Sequence, residues 1–198
     1  MMKSLTRALP MLVVLGTLAG AAPVTYTVVA NPTLNLMTAE SSTVVENIVA
    51  RTGEVSGTLS FDTATRAGSG KVTVNGSSIK TGIAQRDNHM RSDAWLNFDK
   101  TPGIVFETTA VKHVEGDQYD VSGKLTLNGV TRPVTSRATV KLTPASDATR
   151  AAGAKGDVLA VTTAFKVKLS EYDVTNARIP NQVSDTLAIS LKFIASSK

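Results

Sequence analysis

Arg86-Asp87-Asn88-His89-Met90-Arg91-Ser92 places two guanidiniums, a carboxylate and an imidazole within six residues of chain. Asp87 precedes His89 by two positions and Asp93 follows it by four. Such a group could move protons, or hold a divalent ion through imidazole nitrogen and carboxylate oxygen. It could equally form a hydrogen-bonded network that pins a short helix against a larger body. A third use is direct contact, with Arg86, His89 and Arg91 donating hydrogen bonds to the polar head of a ligand. The rest of the chain does not strengthen the catalytic option. It has two His and no Cys, and it lacks a Gly-x-Ser-x-Gly elbow, a phosphate-cradling Gly loop and a His-Glu-x-x-His pair. His113, just before Val114-Glu115-Gly116-Asp117, is expected to sit exposed near a hairpin turn. The chain reads as a non-catalytic protein with no metal and no cofactor.

The same segment carries apolar bulk in Met90, Trp95, Leu96 and Phe98. These side chains either plug the end of a core or wall an apolar hollow. Ala84 to Leu96 is the one stretch expected to be helical, for a turn or two.

Everything that positions this segment alternates with the period of a β-strand. Tyr26 and Val28, then Leu34 and Leu36, open the pattern, and Val55, Gly57, Leu59 and Phe61 continue it. Val72 and Val74 follow, then Ile104, Phe106 and Thr108. Val121, Gly123, Leu125 and Leu127 point one way and Ser122, Lys124 and Thr126 the other. Asn128-Gly129 then predicts a type I′ hairpin turn, which needs positive φ at both positions. The return strand alternates through Val134, Ala138, Val140 and Leu142, with Pro133 expected at a strand start or an edge. Leu159, Val161, Phe165, Val167 and Leu169 form one further strand, and Leu187, Ile189, Leu191 and Phe193 another. Ala145 to Gly156 reads as a mobile loop. About eight antiparallel strands with one wet and one apolar face predict an all-β, closed barrel, with a β-sandwich as the alternative.

Residues 1–22 read as an export signal. Lys3 and Arg7 precede the apolar run Met11 to Leu18, and Ala19-Gly20-Ala21 supplies small residues for cleavage. The run is shorter than the roughly 20 residues that span a bilayer. The expected product is one domain, residues 23–198, in the periplasm or secreted. Cleavage removes two bases and no acid, lowering the net charge from +5 to +3. The remaining bases are dispersed, which argues against nucleic acid and leaves at most transient contact with a membrane surface. Without cysteine the domain must be stable from its core alone.

The order of several short motifs resembles the YceI family. Gly57-Thr58-Leu59-Ser60-Phe61-Asp62 and Val72-Thr73-Val74 match its paired strands, and Ile79-Lys80-Thr81-Gly82 matches the segment that follows. The Arg86 to Ser92 block with Phe98-Asp99 is similar to its most distinctive run, and Pro102-Gly103-Ile104-Val105-Phe106 to its next strand. The hairpin Gly123 to Val134 is a close match, and Leu169-Ser170-Glu171-Tyr172 and Val183-Ser184-Asp185 echo the final strands. Where the family usually has Gly after the C-terminal aromatic, this chain has Asp173. The resemblance runs over about residues 24–195.

What the resemblance implies is an extended, lipocalin-like barrel whose tunnel binds a long-chain isoprenoid or another amphipathic lipid, with some members forming homodimers. Residues implied at the tunnel wall or mouth are Phe61, Arg86, His89, Met90, Arg91, Trp95, Leu96, Phe98, Ile104, Phe106, Leu125, Phe165 and Phe193. A filled core, with a structural or stress-related role in the cell envelope, is the alternative. For a carrier, burying a tail of some forty carbons at about 0.8 kcal/mol per methylene gives roughly 30 kcal/mol gross. That exceeds the practical affinity ceiling of about 18–21 kcal/mol. Tail burial therefore binds without discriminating, and selectivity must lie in tunnel length and the polar groups at its mouth.

Overall fold

A computed structural model describes residues 22–198. The expected export signal, residues 1–22, lies outside the described residues except for Ala22. Among the described residues ten strands form: β1 (Val24–Val28), β2 (Leu36–Ser42), β3 (Asn47–Thr52), β4 (Val55–Phe61), β5 (Gly68–Asn75), β6 (Gly103–Glu115), β7 (Gln118–Leu127), β8 (Val130–Thr143), β9 (Val158–Lys168) and β10 (Thr186–Ser197). Two short α-helices, α1 (Ala84–Arg91) and α2 (Asp147–Ala151), lie in connections.

Eight strands close a ring in the order β1-β4-β5-β6-β7-β8-β9-β10, with β10 returning to β1 and every pairing antiparallel. The all-β barrel expected from the alternation is the fold. The remaining two strands exploit the length of β10. Its C-terminal residues Ala195 to Ser197 pair with β1, whereas Ala188 to Lys192 pair with β2. The β2–β3 hairpin therefore extends the wall where β1 stops. Its outer edge meets the rest of the chain at an antiparallel bridge between Arg51 and Lys80. The barrel thus has an end carrying β1, and an opposite end carrying the β2–β3 tip, α1 and the Asn128-Gly129 turn.

Turn chemistry agrees with the backbone. Asn128 and Gly129 both have positive φ, 52° and 76°, as a type I′ turn demands. β9 pairs only with Arg137 to Thr143, so Pro133 lies in a part of β8 with a strand on one side alone. Asp173 adopts a left-handed conformation, φ 57°, at the position where the resemblance expects glycine.

Two expectations need correction. Leu34 and Leu36 do not share the inward phase, because Leu36 is exposed while Asn35 and Met37 are buried. The Asn35 side chain accounts for this. Its Nδ2 donates to Val29 O (2.9 Å) and its Oδ1 accepts from Ile194 N–H (3.2 Å), fixing the crossing from β1 to β2. Ala145 to Gly156 is not a featureless loop. Ser146 caps α2 through a capping box with Thr149, and Ser196 Oγ accepts from the N–H groups of Lys155 and Gly156 (2.9 and 3.1 Å).

Candidate functional site

The inward side chains do not meet in the middle. They enclose a cavity of about 550 Å³. That lies within the roughly 300–1,000 Å³ usual for small-molecule sites. Its wall is built strand by strand from the alternation: Leu59 and Phe61 from β4, Val72 and Val74 from β5, Ile104 and Phe106 from β6, Leu125 and Leu127 from β7. Val134 and Val140 of β8, Val161, Phe165 and Val167 of β9, and Ile189, Leu191 and Phe193 of β10 complete the ring. Toward the β1 end Tyr26, Val28, Val158 and Ala195 are buried without reaching the cavity, while Phe61, Gly68 and Val111 carry its lining close to that end, and Tyr119 packs edge-on against Phe61 with centroids 5.8 Å apart.

The opposite end is roofed by the 82–102 connection. Ile83, Gln85, Arg86, His89 and Met90 from α1 and its approach line the cavity, as do Trp95, Leu96 and Phe98. Phe98 lies against Gly76, where a Cβ would stand 2.3 Å from the ring, and Ser77 Oγ donates to Phe98 O (3.1 Å). Glycine at 76 is therefore a packing requirement. Helix α1 has no side-chain N-cap. It is tied down from its flanks instead. The buried Asp87 carboxylate accepts from Thr81 N–H (2.8 Å) and Thr81 Oγ (2.7 Å). Desolvation pushes this carboxyl upward, but the two Thr81 hydrogen bonds, with the Lys80 and Arg91 charges, outweigh it and hold the pKa below the ordinary value. Arg86 pairs with Glu46 at the β2–β3 tip (3.0 Å), and both line the cavity. A second connection closes the other side through Arg178, Gln182 and Val183. It is held by Asn176 Nδ2 donating to Ala94 O (3.2 Å) and by Ser184 N–H donating to Ser41 Oγ (2.8 Å). The result is an apolar hollow with charged and amide groups gathered at one end.

Of the residues expected at wall or mouth, Phe61, Arg86, His89, Met90, Trp95, Leu96, Phe98, Ile104, Phe106, Leu125, Phe165 and Phe193 all line this cavity. Arg91 does not. Its guanidinium bonds Asn88 and lies 4.0 Å from Asp99. The four polar residues of the α1 block also do not bond one another as a single network. Asp87 serves Thr81, Arg86 serves Glu46, Arg91 serves Asn88 and Asp99, and His89 faces the cavity. Asp93 sits 3.7 Å from Lys100. Among the described residues no three His or carboxylate side chains gather into a metal-binding group. His113 lies by its turn, within hydrogen-bond distance of Gly116 O (2.9 Å) and edge-on to Tyr119.

Sequence reasoning missed one wall altogether. Met37, Ala39 and Ser41 of β2, and Ile48 and Ala50 of β3, line the cavity with small or flexible side chains. Their period-two spacing was the available signal, diluted by polar residues of low strand propensity.

A family model described as a YceI-like domain matches residues 26–195. Protein YceI of Salmonella arizonae is 37% identical over 142 residues, covering 70% of this chain and 69% of that protein. A UPF0312 protein of Pseudomonas aeruginosa is 46% identical over 89 residues, covering 44% of this chain, so the match spans under half (46%) of that relative's length. Among solved structures, a polyisoprenoid binding domain from Saccharophagus degradans superposes with a TM-score of 0.66 at 18% identity, covering 89% of this chain and 99% of that one. At that identity the likeness speaks for the barrel alone. The motif order, the closed barrel and the match across nearly all described residues together place this chain in the YceI family.

Proposed function

We propose that this protein is an exported, non-catalytic carrier that holds the tail of an isoprenoid or similar amphipathic lipid inside the barrel. The observation that carries the proposal is the hollow itself. About 550 Å³ of space is walled mainly by aliphatic and aromatic side chains, with charged and amide groups confined to one end and only a few hydroxyls, such as Thr108, Ser136 and Thr163, along the wall. Such a lining offers few hydrogen-bond partners, so a polar solute would be left unsatisfied in it while an apolar tail loses nothing. The polyisoprenoid binding domain of Saccharophagus degradans, which shares the barrel, supports the choice of ligand class. The residues at the mouth suit an amphipathic molecule, because Arg86, His89, Gln85, Arg178 and Gln182 can meet a head while the tail runs inward. The basic, apolar and small-residue run of residues 1–22 supports export to the periplasm or beyond. The scarcity of nucleophiles and of clustered acid–base groups supports binding rather than catalysis.

Trp95 is the single tryptophan and lines the cavity, so its fluorescence reports occupancy directly. Titration with a medium-length isoprenoid is expected to change Trp95 emission saturably. Val161→Phe, which pushes a ring into the hollow, should abolish that change while the protein stays folded. A saturable signal undiminished by Val161→Phe would count against tail burial in the barrel.

A further inference from the structure

The β2–β3 hairpin ends in Thr43-Val44-Val45-Glu46, and there Val44 is fully exposed and Val45 is 72% exposed. The turn itself is ordered. Thr43 N–H donates to Glu46 O (2.9 Å), and the N–H groups of Val45 and Glu46 donate to Thr43 Oγ (3.3 and 3.1 Å). These bonds use Thr43 and the backbone, so local geometry gives no reason for two β-branched apolar side chains at the tip. Two more exposed apolar residues stand beside them. Val49 lies on the outer face of β3 and Ile83 at the entry to α1, each about half exposed. The Arg51–Lys80 bridge is antiparallel, so the chain beyond Lys80 runs back along β3 toward the tip. The Arg86–Glu46 pair then fixes α1 next to it. Ile83 belongs to both surfaces, since it is half exposed and also lines the cavity. Through Ile83 the apolar surface at this edge reaches from solvent into the barrel.

We propose that this edge docks on a lipid bilayer, with Val44 and Val45 inserted and the cavity mouth turned toward the membrane. The proposal rests on the carrier reading and adds where the cargo crosses. A second copy of the chain fits the patch poorly, because a standard protein interface uses about 20–30 residues a side and this edge offers four apolar ones. The charges favour a membrane surface. Arg51 and Lys80 flank the patch with no carboxylate within 4.0 Å among the described residues, while Glu46 is neutralised by Arg86. Glu40, opposite Val49 across the hairpin, and the buried Asp87, on which the Lys80 charge acts, are the acids that remain. A tail leaving through an edge seated in hydrocarbon avoids the cost of exposure to water.

The test uses the whole mature protein without added isoprenoid, and vesicles of phosphatidylethanolamine and phosphatidylglycerol. The chain has no native cysteine, so Val44→Cys carries an environment-sensitive dye at the tip and Asp117→Cys carries it at the opposite end. Vesicles are expected to blue-shift the dye at position 44 and leave that at 117 unchanged. The double variant Val44→Asp, Val45→Asp should partition about tenfold or more weakly. Its melting temperature and its uptake of isoprenoid from detergent solution should match the parent. Equal partitioning of the double variant, equal shifts at both ends, or no partitioning at all would overturn the proposal. A concentration-dependent shift at 44 without vesicles would assign the patch to a second copy and overturn it too. Failure of isoprenoid uptake alongside normal docking would instead remove the carrier reading and leave the docking edge standing.

Discussion

The Asp87 carboxylate, buried at the first turn of α1, accepts hydrogen bonds from both the backbone N–H and the hydroxyl of Thr81, at 2.8 and 2.7 Å. This contact ties the roof of the cavity to the segment bridged to β3. Asp87→Ala should therefore destabilise the protein by about 1–3 kcal/mol, the cost of leaving such donors without their acceptor. The effect should depend on pH. A carboxyl whose folded pKa is held below its unfolded value adds stability above the unfolded value, and loses it as pH falls through the folded one. The stabilities of parent and Asp87→Asn should thus converge in acid. Chemical denaturation from neutral pH to below the ordinary carboxylate range checks this, and a gap that persists in acid would contradict it.

Arg86 and Glu46 form a latch between the roof and the β2–β3 tip, with both side chains partly exposed. Pairs of this kind contribute only about 0–1 kcal/mol to stability. Arg86→Glu is expected to leave the melting temperature nearly unchanged yet speed both entry and exit of a tail, since repulsion between two like charges would then separate the two elements. Restoring the pair with Glu46→Arg in the same chain should slow exchange again. Stopped-flow fluorescence from Trp95 measures both rates.

Gly123 in β7 is a packing requirement of the wall. A Cβ there would stand 2.3 Å from the Phe106 ring and 2.5 Å from Glu107 O. The ring can turn, but the carbonyl belongs to the paired strand β6 and cannot yield cheaply. Gly123→Ala should cost about 1–3 kcal/mol by overpacking. Phe106→Leu in the same chain should recover only part of that, because the backbone contact remains. Thermal denaturation of the single and double variants separates the two contributions.

The barrel was legible in the sequence because β4 to β10 alternate cleanly, and because Asn128-Gly129 announces its own turn type. The cavity wall was legible for the same reason, since strand phase alone assigns Phe61, Leu125, Phe165 and Phe193 to one face. The β2–β3 hairpin was not. Met37, Ala39, Ser41 and Ala50 line the cavity with little hydrophobic contrast against Thr38, Glu40 and Arg51. The phase error at Leu36 has a sharper cause. Asn35 is buried because its amide joins Val29 to Ile194, a partner 159 positions away in sequence. No local pattern carries that information. Arg91 lies close to Arg86 in sequence, yet of the two only Arg86 reaches the cavity, because five positions along a helix turn the side chains to different faces.

Asn35 also gives a test of the partner switch along β10. Asn35→Ala removes an acceptor from Ile194 N–H and a donor from Val29 O where β1 hands over to β2. Destabilisation of about 1–3 kcal/mol is expected. Hydrogen exchange should quicken first at β1 and at the β10 amides paired with it. Uniform acceleration around the ring would argue that the crossing is not locally held.

The most direct measurement is native mass spectrometry of the protein purified from its own host, followed by lipid extraction. The mass should exceed that of the polypeptide alone by one apolar-tailed lipid, and Val161→Phe should remove the excess. A chain that is repeatedly empty, and that also refuses added isoprenoid while Trp95 stays silent, would contradict the claim that the hollow exists to hold a tail.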